Sequence, residues 1–158
     1  MIILNGSPNT PSHSMNLLKS HFEIKDAVIY NAYAMDVSPC DDCKLCMKKP
    51  RCKYVDGMEA FKEALETHDT LVIVSPIHFG TLSVAALTVL SRLQELFNRK
   101  HTLKMPIPSL KSLHIVATAG ADDPSMFEGI NKTHTILKSL FSAKEGAIFT
   151  RSSTDRLQ

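Results

Sequence analysis

Five short apolar runs recur along the chain, Ile2 to Leu4, Ala27 to Tyr30, Leu71 to Val74, Leu113 to Ala117 and Ala147 to Phe149, with helix-type stretches between them. The runs are continuous instead of alternating, as a strand covered on both faces requires. Leu82, Ala85, Ala86, Val89, Leu90, Leu93 and Phe97 stand at steps of three and four and predict one amphipathic helix. A second stripe carries Phe127, Ile130, His134, Leu137 and Phe141, with Asp123 as its N-cap and Pro124 at the first helical position. A third helix begins at Asp56, where Asp-Gly-Met-Glu resembles a capping box closed by Glu59, and Met58, Phe61 and Leu65 supply its buried face. Strands alternating with helices predict βαβ units and an α/β three-layer sandwich on a five-stranded parallel sheet.

At 158 residues the chain has the length of one domain. A net charge of +2 is too balanced for a protein whose whole surface grips nucleic acid or an anionic membrane. The start, Met-Ile-Ile-Leu followed by Asn5, is too short for the apolar core of a signal peptide, and no apolar run approaches the roughly 20 residues that span a bilayer. A cytoplasmic protein is expected. In a reducing compartment its four cysteines read as metal ligands or redox thiols before structural disulfides.

Glycine is scarce, and its placement is informative. Gly6 follows the first apolar run, Gly80 the third and Gly120 the fourth. That puts three loops beyond the carboxyl ends of strands, the edge where open α/β sheets bind ligands. The first loop, Asn5-Gly6-Ser7-Pro8-Asn9-Thr10-Pro11-Ser12-His13-Ser14, leads into a helix through Leu17 and Leu18. Helix N-terminal N–H groups and serine hydroxyls suit a phosphate, and a Ser-rich surface turn that caps the helix is the plainer alternative. Neither the G-x-x-x-x-G-K-[ST] nor the G-x-G-x-x-G pattern is present, and a hydroxyl-rich loop without lysine favours a phosphate monoester.

All four cysteines fall in the block Cys40-x2-Cys43-x2-Cys46-x5-Cys52, with Pro39 just before it and Pro50 within its last gap. Spacings of two let several thiolates converge on one centre. A [4Fe–4S] cluster, a zinc ion and no stable metal all remain open, the compact run being closer to ferredoxin-like spacing than to paired zinc knuckles. Lys44, Lys48, Lys49, Arg51 and Lys53 surround the thiols, opposed by Asp41 and Asp42, as either a solvated loop face or a docking patch for an acidic partner.

The stretch Leu4-Asn5-Gly6-Ser7-Pro8 with Ser12-His13-Ser14 resembles the phosphate loop of the flavodoxin-like NADPH-dependent FMN reductases. The cysteine block and the stretch from Asp69 to Gly80 resemble the iron–sulfur flavoprotein branch of the same superfamily. The resemblance runs from residue 1 to about 150 and implies a flavodoxin-like strand order of 2-1-3-4-5. It implies a domain over 1–150 with a Cys-rich insertion at 39–55, and a tail over 151–158. The implied FMN contacts are Ser7, Pro8, Asn9, Ser12, His13, Ser14, Met15 and Asn16 at the first loop, the three serines and nearby backbone holding the phosphate. Pro76, Ile77, His78, Phe79 and Gly80 would run along the flavin ring, and Thr118, Ala119 and Gly120 along its other side. Cys40, Cys43, Cys46 and Cys52 would be the metal ligands.

The implied activity is electron transfer from NAD(P)H through FMN to a small acceptor, a quinone or free flavin, with no side chain required as acid or base. The alternatives are an iron–sulfur flavoprotein electron carrier fed by ferredoxin, and a flavodoxin-like module without catalysis. The last is suggested by Leu87 and Ser91, where relatives usually carry other residues, and by the short C-terminus; Asn9 and His78 are further departures, which bear on flavin affinity and turnover. His78 would hydrogen-bond the ring or pack where a tyrosine otherwise sits; His13, His101, His114 and His134 have no spacing that suggests a metal site. The chain stops soon after the fifth strand, so a covering helix is missing unless 152–158 supplies a stub. The bare sheet face predicts a homo-oligomer, a dimer or tetramer.

Overall fold

The computed structural model describes residues 1–156; the last two residues of the expected tail lie outside the described residues. Five parallel strands form the sheet: β1 (Ile2–Asn5), β2 (Val28–Asn31), β3 (Thr70–His78), β5 (Ser112–Thr118) and β6 (Ile148–Arg151), in the order β2-β1-β3-β5-β6. This is the flavodoxin-like order expected, with one addition. A two-residue strand, β4 (Thr81–Leu82), folds back on the end of β3, pairing Ile77 with Leu82 and His78 with Thr81. The turn residues Phe79 and Gly80 have φ of 50° and 74°, the left-handed pair that a two-residue hairpin demands. The segment expected as a loop along the ring is therefore a strand end and a tight turn.

The continuous apolar runs are explained by burial on both faces. Ile2, Leu4, Leu71, Ile73, Leu113 and Ile115 point to one core together with Phe61, Leu65, Val89, Ile130 and Phe141. Ile3, Val72, Val74 and Val116 point to the other, under Leu18. Alternate residues of one strand thus feed opposite cores. β2 departs from the pattern because it is an edge strand: Val28 and Ile29 are exposed, and Tyr30 anchors it by donating from its hydroxyl to the Ala60 carbonyl at 2.9 Å.

The helices are α1 (His13–His21), α2 (Met58–Thr67), α3 (Val84–Arg92), α4 (Gln94–His101) and α5 (Glu128–Leu140). The single helix expected from Leu82 to Phe97 is two. The Leu93 N–H bonds Leu90 and Ser91 instead of continuing the four-residue ladder, so the stripe changes phase. Phe97 turns outward, while Glu95 and Asn98 turn in. The capping box at Asp56 does not form either. Asp56 accepts from the Met58 and Ser38 N–H groups, both at 3.1 Å, and Glu59 pairs with Lys62. At α5, Asp123 accepts from the Ser125 N–H as expected and opens a 3₁₀ turn, Pro124–Phe127, that runs into the helix.

On the α1 face, at the β6 edge, the rings of His21 and Phe22 pack on Phe149 with centroids 4.4 and 5.4 Å away, and His114 meets Phe22 edge-to-face at 5.1 Å. These rings cover part of the face expected to be bare. The tail contributes a 3₁₀ turn, Thr154–Arg156. No helix among the described residues is long and apolar enough to cross a membrane.

Candidate functional site

Two cavities collect the residues singled out in the sequence. The first opens at the carboxyl edge of the sheet, has a volume of about 440 Å³, and is lined by Ser7, Asn9, His13, Ser14, Pro76, Ile77, His78, Thr118 and Gly120. It lies between the first strand's loop and the β5 loop because β1, β3 and β5 are adjacent and parallel. Of the other expected contacts, Ser12 is buried and caps α1, accepting from the Met15 N–H at 3.2 Å. Pro8, Met15, Asn16, Phe79, Gly80 and Ala119 do not line the cavity. Phe79 projects fully into solvent at the hairpin tip.

Gly6 holds the first loop against the rest of the molecule. Its N–H donates to the Val74 carbonyl at 2.7 Å, and a β-carbon there would come within 2.8 Å of both Ala86 Cβ and Ser83 Oγ. Ser14 and Thr118 join the first and last loops through a buried hydroxyl pair. With Met15 served by Ser12 Oγ and Asn16 by the Ser12 carbonyl, the His13 and Ser14 N–H groups have no partner within the helix, as first-turn groups do not.

Sequence reasoning missed the cavity's other wall, formed by Ala121, Met126, Thr154 and Asp155. The tail is tied to the β5 loop: Thr154 donates from both N–H and hydroxyl to the Ala119 carbonyl at 3.1 Å, and the Ser153 N–H donates to the Ala121 carbonyl at 3.1 Å. The Asp155 carboxylate then lies so close to Gly120 that a β-carbon would overlap it. Nothing in the tail's spacing signals this.

The second cavity, about 260 Å³, is lined by all four cysteines together with Tyr54, Arg92, Glu95 and Asn98. The cysteines are free thiols. Among the described residues no three His, Cys, Asp or Glu side chains are grouped as a single metal ion needs. Arg92 closes the base of the cysteine loop, donating from Nη1 to the Ser38 carbonyl at 2.8 Å and to the Asp56 carboxylate at 2.6 Å. Burial pushes the Asp56 carboxyl up, but the Arg92 hydrogen bond and the Met58 and Ser38 N–H groups outweigh it and hold it below the ordinary carboxylate value. The readable signal for Arg92 was a charge three residues beyond Val89, on the edge of an apolar stripe. In the basic patch, Lys44 pairs with Asp42 and Lys53 with Asp41, and Lys48, Lys49 and Arg51 are exposed.

A parallel sheet of this order, with a ligand-sized cavity at its switch point, defines the flavodoxin-like class. The NADPH-dependent FMN reductase family model matches residues 1–122, and the chain belongs to that family. The fold is similar to that of an FMN-dependent NADH-azoreductase from Bacillus anthracis in complex with FMN: TM-score 0.64, 16% identity, covering 99% of this chain and 89% of that one. It is also similar to an NAD(P)H:quinone oxidoreductase from Methanothermobacter marburgensis: TM-score 0.63, 13% identity, 96% and 82% covered. Over 57 residues the chain is 23% identical to an iron–sulfur flavoprotein of Methanocaldococcus jannaschii, a match spanning 36% of this chain and 30% of that relative.

Proposed function

We propose that the chain is an FMN-dependent oxidoreductase that takes electrons from NAD(P)H and delivers them to a small acceptor, a quinone or free flavin. The observation that carries this is the convergence of the loops after β1 and β5 with the end of β3 on the 440 Å³ cavity, a volume within the range of about 300–1,000 Å³ typical of cofactor pockets. When bound there, FMN supplies the hydride and electron chemistry. The chain's own part is binding and orientation. The His13 and Ser14 N–H groups and the Ser7 hydroxyl suit the phosphate, Pro76 and Ile77 offer an apolar wall, and Thr118 and Gly120 border the other side. The FMN held by the Bacillus anthracis azoreductase supports the reading.

The test is titration of the purified protein with FMN, followed by anaerobic oxidation of NADH and NADPH with a benzoquinone. One FMN bound per chain and quinone-dependent oxidation are expected. Flavin bound without turnover selects the carrier or the inactive module, and no flavin binding overturns the proposal.

The four cysteines favour a second centre in the same protein. A [4Fe–4S] cluster takes one thiolate per iron and so suits sulfurs spread around a 260 Å³ hollow, whereas zinc draws its ligands to about 2.3 Å of one point. Exposed Lys48, Lys49 and Arg51 beside it suit an acidic carrier of the ferredoxin type. Exposed Phe79, Val84 and Leu87 suit a homo-oligomer, which sedimentation tests: a strict monomer excludes it.

A further inference from the structure

The wall of the cysteine cavity contains two buried polar side chains, Arg92 and Asn98, besides the paired Glu95. Arg92 is 2% exposed. Besides its bonds to Ser38 and Asp56 it reaches the Tyr54 carbonyl at 3.4 Å, and its guanidinium lies 5.0 Å from the centre of the Tyr54 ring. Its Nε–H is buried without a hydrogen-bond partner among the described residues. A buried donor left unpaired costs about 1–3 kcal/mol. Here it belongs to a residue that lines the cavity.

Asn98, on α4, is 6% exposed and donates from Nδ2 to Cys46 Sγ at 3.2 Å. The Thr102 hydroxyl donates to Asn98 Oδ1 at 3.1 Å, which fixes the amide so that its NH₂ end faces the sulfur. Glu95, the buried carboxylate in the same wall, is engaged by Lys62 at 2.6 Å. From the helices, the cavity is thus lined by the Arg92 guanidinium, paired with Asp56, the Asn98 amide donor, the Lys62-paired Glu95 and the exposed Gln94.

We propose that Arg92 and Asn98 are positioning residues that tune the centre held by Cys40, Cys43, Cys46 and Cys52. This rests on the cluster reading given under Proposed function. Four thiolates bring four negative charges into a recess, and one-electron reduction of a cluster adds another without breaking a bond. A buried guanidinium and an N–H donated to a ligand sulfur both favour the more negative state. Removing either lowers the reduction potential. Arg92 also fastens both ends of the cysteine loop, through Ser38 on one side and Tyr54 and Asp56 on the other.

The experiment is anaerobic reconstitution of the full chain with iron and sulfide, followed by iron and sulfide assays and a dithionite titration of the cluster signal by electron paramagnetic resonance. It compares wild type with Asn98→Leu, Arg92→Gln and Arg92→Lys. Asn98→Leu leaves the Arg92–Asp56 pair intact, so the test survives if Arg92→Gln does not fold. Expected are wild-type iron content in Asn98→Leu and a roughly tenfold smaller reduced-to-oxidised ratio at fixed potential, equivalent to about 59 mV downward for a one-electron couple. Arg92→Lys, which keeps the charge, retains more of the wild-type potential than Arg92→Gln. Iron bound with an unmoved potential in Asn98→Leu and Arg92→Gln overturns this proposal alone. A wild type that takes up no iron overturns the cluster reading and this proposal with it.

Discussion

The hydroxyl of Ser14, on the first turn of α1, stands 2.7 Å from the hydroxyl of Thr118 at the end of β5, and the pair is buried. One atom donates and the other accepts, so each is satisfied only while the first and last loops stay together. Thr118→Val leaves Ser14 without its partner and is expected to cost about 1–3 kcal/mol. Ser14→Ala combined with Thr118→Val is expected to cost less than the two single changes summed. Urea midpoints across the double-mutant cycle decide it, and strict additivity counts against the coupling.

Gly6→Ala is expected to be severe for its size. The new methyl meets the Ala86 methyl and the Ser83 hydroxyl, and the Val74 carbonyl at 3.2 Å, none of which is the end of a flexible chain. Overpacking of this kind costs about 1–3 kcal/mol. Thermal unfolding measures it, and FMN titration is expected to show weaker binding in the same variant.

Asp155→Asn removes a negative charge from the cavity without changing its shape. The FMN phosphate is itself an anion, and at an intermediate effective dielectric a charge several ångströms away opposes it by about 1 kcal/mol. About fivefold tighter FMN binding is expected, with riboflavin, which lacks the phosphate, changed less. Flavin fluorescence quenching with both ligands checks it; equal gains for the two would place the carboxylate's effect on the ring.

Stability is expected to fall as pH drops below neutrality through His114. Burial, followed by repulsion from His134, holds its pKa below the ordinary 6.5. Its Nδ1 accepts from the Ala147 N–H at 3.1 Å, which only the neutral ring can do. The unfolded chain then binds the proton more readily than the folded one, so the contribution is complete above about pH 6.5 and is lost as pH falls toward the lower folded value. His114→Phe is expected to flatten that slope in urea melts between pH 7.5 and 5.

The sheet was legible because burial on both faces leaves an unbroken apolar run, and β1, β3 and β5 sit where Ile2, Leu71 and Leu113 announce them. β4 was not, because its turn places Phe79 at positive φ where the usual signal is Asn or Gly. The split at Leu93 escaped notice because a stripe read at constant period cannot show a change of phase. For the first cavity, the loops after β1 and β5 were readable from glycine and serine, while Asp155 reaches it only through backbone bonds to Ala119 and Ala121. The cysteines announced themselves; Asn98 did not, since an Asn inside a helix looks like solvent-facing polarity until the turn before it rotates it inward.

β3 has consequences for how motion is distributed around the cavity. Leu71 to Val74 expose no surface and are flanked by bonded strands on both sides, while four residues further on the same strand reaches His78, exposed beside the cavity. Deuterium exchange is therefore expected to be steeply graded within one strand, from amides that open only on global unfolding to amides that open locally. A ligand entering the cavity will slow exchange at Ile77 and His78 and leave Leu71 to Val74 unchanged. The ring-side wall behaves as a short cantilever: its tip can yield to an incoming ligand while its root keeps the loops after β1 and β5 in register.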